Sequence, residues 1–141
     1  MTAPNEARKA ITMRFLDRFK GVERERIALD NEDFKAPENG DWVRFVVRHN
    51  GRAQDTLGCP ANRRFRSAGI VFVQVFTEAA SSTTMGGTEK ADELCKEIAD
   101  IFDAVSFDGL DFQAAVCRES GPDGRWYIHI VEAPFEYDEI K

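Results

Sequence analysis

The 141 residues carry a net charge of −6, with 43% hydrophobic and 31% charged side chains. A chain of that length suits one domain with a real core and no need of staples, and its acidic balance argues against a general binder of nucleic acid or anionic membrane. The longest apolar run, Ala68 to Phe76, is broken by Gln74 and falls far short of the roughly 20 residues that span a bilayer.

The N-terminus M-T-A-P-N-E-A-R-K-A has no apolar stretch of the kind a signal peptide needs. Cys59, Cys95 and Cys117 are an odd number without C-x-x-C spacing. They argue against a disulfide framework or a zinc site and suit a reducing compartment.

The first element is a helix from Pro4 to Lys20. Pro4 fits its first turn, where a missing N–H has no intrahelical partner. Ile11, Phe15 and Phe19, with Leu16 beside them, recur at the spacing of a buried stripe, and Gly21 is the expected stop. A short strand is expected around Ile27 to Leu29, then a turn cluster from Pro37 to Asp41.

Trp42 to His49 is a strand. Val43, Phe45 and Val47 face one way, and Trp42, Arg44, Val46 and Arg48 the other. Alternation with one polar side predicts a sheet covered on a single face. Asn50-Gly51 is expected to open a long polar loop reaching Arg63, and ordered loops of that length are often functional.

The next strand alternates Phe65, Ser67, Gly69, Val71, Val73 and Val75 against Arg66, Ala68, Ile70, Phe72, Gln74 and Phe76. Gly69 inside it signals a bulge or a close backbone approach. The second helix starts at Thr88, a good N-cap. Its stripe is Ala91, Leu94, Cys95, Ile98, Ile101, Phe102 and Val105. Two last strands follow, one through Phe112, Ala114 and Val116 and one from Trp126 to Val131. The Gly121-Pro122-Asp123-Gly124 turn joins them as a hairpin. The last strand should end, bulge or become an edge at Pro134.

The order α-(β)-β-β-α-β-β predicts an α+β fold: an antiparallel or mixed sheet of four to five strands, with two helices packed on one face. No catalytic, metal or cofactor grouping stands out. His49 and His129 are general-base candidates by type, but solvated or hydrogen-bonded structural roles suit them better. Cys95 and Cys117 are expected to be packed, which leaves Cys59 as the candidate reactive thiol. Met85-Gly86-Gly87-Thr88 lacks the lysine of a phosphate loop and reads as a connection.

Charge is more informative. From Arg44 to Arg66 run Arg44, Arg48, Arg52, Arg63, Arg64 and Arg66, opposed only by Asp55. From Glu132 to Glu139 run Glu132, Glu136, Asp138 and Glu139, with no basic residue among them. These runs read as two solvated surfaces, as a head-to-tail contact that closes a ring, or as arginines lining a nucleic-acid channel. The interface candidates are Arg52, Arg63, Arg64, Arg66, Glu132, Glu136, Asp138 and Glu139.

The chain resembles the tail terminator proteins of long-tailed bacteriophages and prophages. The resemblance lies in the opening helix, G-D-W-V-R-F-V-V, R-R-F-R-S-A-G-I-V-F-V-Q-V-F, G-G-T-E-K-A-D-E-L-C-K-E-I-A-D-I-F and W-Y-I-H-I-V-E-A-P-F-E-Y. It implies a single tail-terminator-like domain over residues 1–141, without enzymatic activity, cofactor, metal or membrane. Such a protein would form a hexameric ring in the assembled tail and be a monomer when free. It would cap the major tail tube protein, end polymerisation and meet the head–tail connector. DNA would pass through its lumen without sequence-specific binding. Its place would be the virion tail, and the host cytoplasm during assembly. Other readings are a different neck or minor tail component, or a small enzyme using Cys59 or a histidine.

Overall fold

In the computed structural model, residues 3–30, 32–37, 40–54, 56–78, 88–123 and 126–140 are described. The elements run α1 (Pro4–Arg18), a 3-10 turn (Arg24–Arg26), β1 (Ile27–Ala28), β2 (Trp42–Gln54) and β3 (Arg64–Glu78). Then come α2 (Thr88–Phe102), β4 (Ser106–Phe107), β5 (Leu110–Phe112), β6 (Val116–Asp123) and β7 (Trp126–Ile140). The strands form one seven-stranded sheet in the order β1-β2-β3-β7-β5-β4, with β6 also paired to β7. It is mixed, because β1 runs parallel to β2 while the other pairs are antiparallel.

Both helices lie on one face, as the alternation predicts. α1 buries Ala7, Ile11 and Phe15, and α2 buries Leu94, Cys95, Ile98, Ile101 and Phe102. They pack on Val43, Phe45 and Val47 of β2, Val71, Val73 and Val75 of β3, and Val131, Ala133 and Phe135 of β7. Phe15 stacks on Phe45 with ring centroids 4.4 Å apart. Each such aromatic, fully buried, stabilises the fold by about 1.5–3 kcal/mol.

The sheet has seven strands where four to five are expected. The surplus lies mainly after α2. Ser106 and Phe107 pair with Asp111 and Leu110 around Asp108-Gly109, whose φ values are 48° and 80°. Two positive φ angles in a two-residue hairpin loop match a type I′ turn, and Asp-Gly is its usual sequence. Strands of two and three residues carry too little alternation to read. The expected strand through Phe112, Ala114 and Val116 is two strands, β5 and β6, set end to end along one side of β7.

Pro134 does not end β7, but β7 is a local edge there on the side away from β3. β7 continues to Ile140, with Pro134 opposite Ile70 of β3. The Pro134 carbonyl accepts the Gln113 N–H at 3.0 Å, in the gap between β5 and β6. In a strand, a residue's N–H and C=O point to the same side. The missing N–H therefore falls where β7's neighbour is interrupted, and the ladder to β3 loses nothing.

Asn50-Gly51 is not the start of a loop. β2 runs through it to Gln54, with a register shift between His49 and Gly51. Gly69, opposite His49, accommodates that shift. A Cβ there would meet the Arg48 carbonyl and the Phe135 ring, each at 2.5 Å. The first helix stops at Arg18 rather than Lys20. Gly21 serves close packing, since a Cβ would lie 2.4 Å from Leu94 on α2. The second helix ends at Phe102, before Val105. Among the described residues, no helix is long and apolar enough to cross a membrane.

Candidate assembly surface

Among the described residues, neither helix packs on the other face of the sheet. Register sets Val46, Phe72 and Glu132 in one row across β2, β3 and β7, and Arg48, Ile70 and Pro134 in the next. Arg44, Gln74 and Ile130 form a third. Val46, Ile70, Phe72, Ile130 and Pro134 are each half-buried, shielded by sheet neighbours. At one end of this face a small cluster builds on Trp42. Its ring stacks on Phe76 at 3.9 Å and near Phe34 at 5.2 Å. Trp126 and Ile128 pack against the same cluster.

At the opposite end the two charge runs meet within one chain. Arg66 and Asp138 are register partners on β3 and β7. The Arg66 guanidinium donates through Nε at 3.0 Å and Nη2 at 3.2 Å to the two Asp138 oxygens, and Glu136 lies 3.8 Å away. Donation from Arg66 holds the Asp138 carboxyl below the usual carboxylate range, partly opposed by burial. Arg52 reaches Glu139 at 2.9 Å, and Glu132 pairs with Arg118. Arg52 and Arg63 also lie over the Phe65 ring, at 4.4 and 5.6 Å. The Arg64 N–H donates to Thr56 Oγ1 at 2.9 Å, where the loop enters β3. Antiparallel register brings these groups together, whereas chain position alone leaves their partners open.

Among the described residues, both margins of the sheet have stretches without a strand partner. Among the described residues β1 pairs only Val43 and Arg44 of β2, so β2 from Phe45 to Gln54 is an edge. Its Val47 carbonyl accepts from Arg8 Nη1 at 2.9 Å and Arg48 Nη1 at 3.2 Å. Both arginines also bind Asp30 Oδ2, at 3.2 and 2.6 Å. Charged side chains over an edge are a usual guard against indiscriminate pairing. On the far side β6 is the edge, with Val116 52% exposed and Cys117, Arg118 and Glu119 exposed.

The nucleophile and base candidates separate. Cys59 is exposed in the loop after β2, and Cys95 is buried on α2. Burial, and then the neighbouring Cys117, push the Cys95 thiol well above its ordinary value. Cys117 is exposed rather than packed, because β6 is the outermost strand at that point. His49 is neither solvated nor hydrogen-bonded through Nε2, which is buried without a partner. Its ring meets Phe135 and Tyr137 edge-on at 5.8 Å. Burial, and then Arg8, lower its pKa. His129 is likewise not a solvated histidine: it is buried, and neither ring nitrogen has a hydrogen-bond partner. Met85-Gly86-Gly87, the Thr88 side chain and Gly124 lie outside the described residues, and so do Asn31, Glu38, Asn39 and Asp55.

No family model matches the chain, and no curated protein matches it. Thirteen chains of solved structures do match. One, whose name states no function, superposes with a TM-score of 0.67 at 15% identity, over 97% of this chain and 96% of its own. That likeness is one of fold, and it spans both chains almost end to end.

Proposed function

We propose that the chain is a structural assembly protein of the phage tail-terminator type. It caps the tail tube, ends polymerisation and presents an interface for head–tail joining. The sequence resemblance supplies the tail role. The observation that carries the assembly reading is the pair of sheet margins without a strand partner among the described residues, β2 from Phe45 to Gln54 and β6 from Val116.

The two margins are different surfaces of one sheet. Pairing β2 of one copy with β6 of the next is therefore a heterologous contact, and such contacts close into a ring when the rotation fits. Main-chain hydrogen bonds would supply affinity. A hexameric ring of this kind is weak when free and gains stability by mass action on the tube. The sheet face away from the helices, with Phe72 at its centre, is left for the tube protein or the connector. DNA passes through the lumen without being read. The protein then belongs to the virion tail, and to the host cytoplasm during assembly.

The test is a cysteine pair across the two margins. Asn50→Cys and Ser120→Cys are introduced with Cys59→Ser and Cys117→Ser, and assembled tails are oxidised. The reading expects a covalent ladder of copies that ends at the ring. Tails that release only monomer after oxidation refute the edge-to-edge contact.

A further inference from the structure

Asp92 on α2, Glu119 on β6 and His129 on β7 come from three elements, yet their ligand atoms all lie within 4.8 Å of one another. Glu119 and His129 are register partners. His129 pairs with Val75 on its other side, and α2 lies on the same face. Nε2 of His129 points at the two carboxylates, 3.6 Å from Asp92 Oδ1 and 3.8 Å from Glu119 Oε1. Those separations exceed the roughly 2.7–3.2 Å of a hydrogen bond.

The burial is lopsided. The His129 side chain is 1% exposed, whereas Asp92 and Glu119 are 64% and 63% exposed. A buried imidazole without a partner is uncommon, because desolvation goes uncompensated. Here its Nε2 lies within 4 Å of two exposed carboxylates. Ligands on a tetrahedral zinc, at bonds of about 2.0–2.2 Å, sit about 3.3–3.6 Å apart. The His129 separations are already close to that range, and the exposed carboxylates can rotate to meet it.

We propose that Asp92, Glu119 and His129 form a binding site for a divalent transition metal of the zinc class. One imidazole nitrogen and two carboxylate oxygens suit such an ion, while a nitrogen ligand disfavours magnesium and calcium, which take oxygen. Three protein ligands leave a coordination position for water or a partner's side chain. The metal would tie the start of α2 to the β6–β7 pair, next to the β6 margin. Cys95 and Cys117 are near in the chain, but neither sulfur belongs to the cluster. The inference stands independently of the tail role.

The experiment is calorimetric titration of the full chain with zinc chloride, beside Asp92→Asn and Glu119→Gln. Both substitutions are at exposed positions, and circular dichroism checks that each variant is folded. The Cys59→Ser, Cys117→Ser double variant excludes capture by exposed thiols. The site predicts one zinc per chain in the wild type and in the thiol variant, with affinity at least tenfold weaker in each carboxylate variant. Bound cobalt should lack sulfur-to-metal charge transfer. Absence of saturable binding overturns the site, as does unchanged affinity in both carboxylate variants or loss of binding in the thiol variant.

Discussion

Arg66 on β3 and Asp138 on β7 face each other as register partners, joined by two hydrogen bonds of 3.0 and 3.2 Å. Part of each charge run thus meets part of the other inside one chain: Arg52 and Arg66 bind Glu139 and Asp138. The pair is partly exposed, so it contributes at most about 1 kcal/mol. A double-mutant cycle of Arg66→Ala and Asp138→Ala, read by urea unfolding, should return a coupling no larger than that. The Asp138 pKa is depressed, so its share is present above the unfolded carboxylate pKa and disappears as pH falls through the folded one. A coupling that survives in strong acid contradicts this.

Arg52 and Arg66 bind acidic side chains on β7, and Arg63 and Arg64 stand where the loop enters β3. Reversal of both, Arg63→Glu with Arg64→Glu, should weaken ring formation or tail assembly while the monomer stays folded by circular dichroism. Unchanged assembly leaves these arginines as solvated surface.

Gly69 is fixed by its neighbours. The Arg48 carbonyl and the Phe135 ring each lie 2.5 Å from where a Cβ would sit. Neither can move without disturbing the β2 bulge or the core. Gly69→Ala should destabilise the fold by about 1–3 kcal/mol, measured as a lower urea midpoint. An unchanged midpoint would show that the strands can separate there at little cost.

His49 gives a pH dependence of known sign. Burial, and then Arg8, lower its folded pKa below the ordinary value near 6.5. Below that value the unfolded chain takes up a proton that the folded chain resists, so stability falls as pH drops from there to the folded pKa. Melting temperatures from about pH 8 to about pH 5 should decline less steeply in His49→Gln than in the wild type. Parallel curves would assign the decline to other groups.

The sequence carries the sheet and its covering to a large extent. Val43, Phe45 and Val47, and Val71, Val73 and Val75, declare the covered face by simple alternation, and the stripes of α1 and α2 declare what covers it. The β4–β5 hairpin was available through Asp108-Gly109, but its strands are too short to show a period. The continuation of β2 past Asn50-Gly51 was hidden because that dipeptide ordinarily turns the chain, and here a bulge absorbs it. Pro134 marks a local edge: its missing donor faces the gap between β5 and β6. Asp92, Glu119 and His129 have no common spacing, because helix packing and strand register bring them together. No local motif could reveal them.

The most direct measurement is tail length by electron microscopy, in cells producing particles with this gene deleted and then restored. A terminator predicts overlong tubes in the deletion and uniform length on restoration, with Phe72→Glu failing to restore it despite folding normally. Tubes of normal length in the deletion contradict the account.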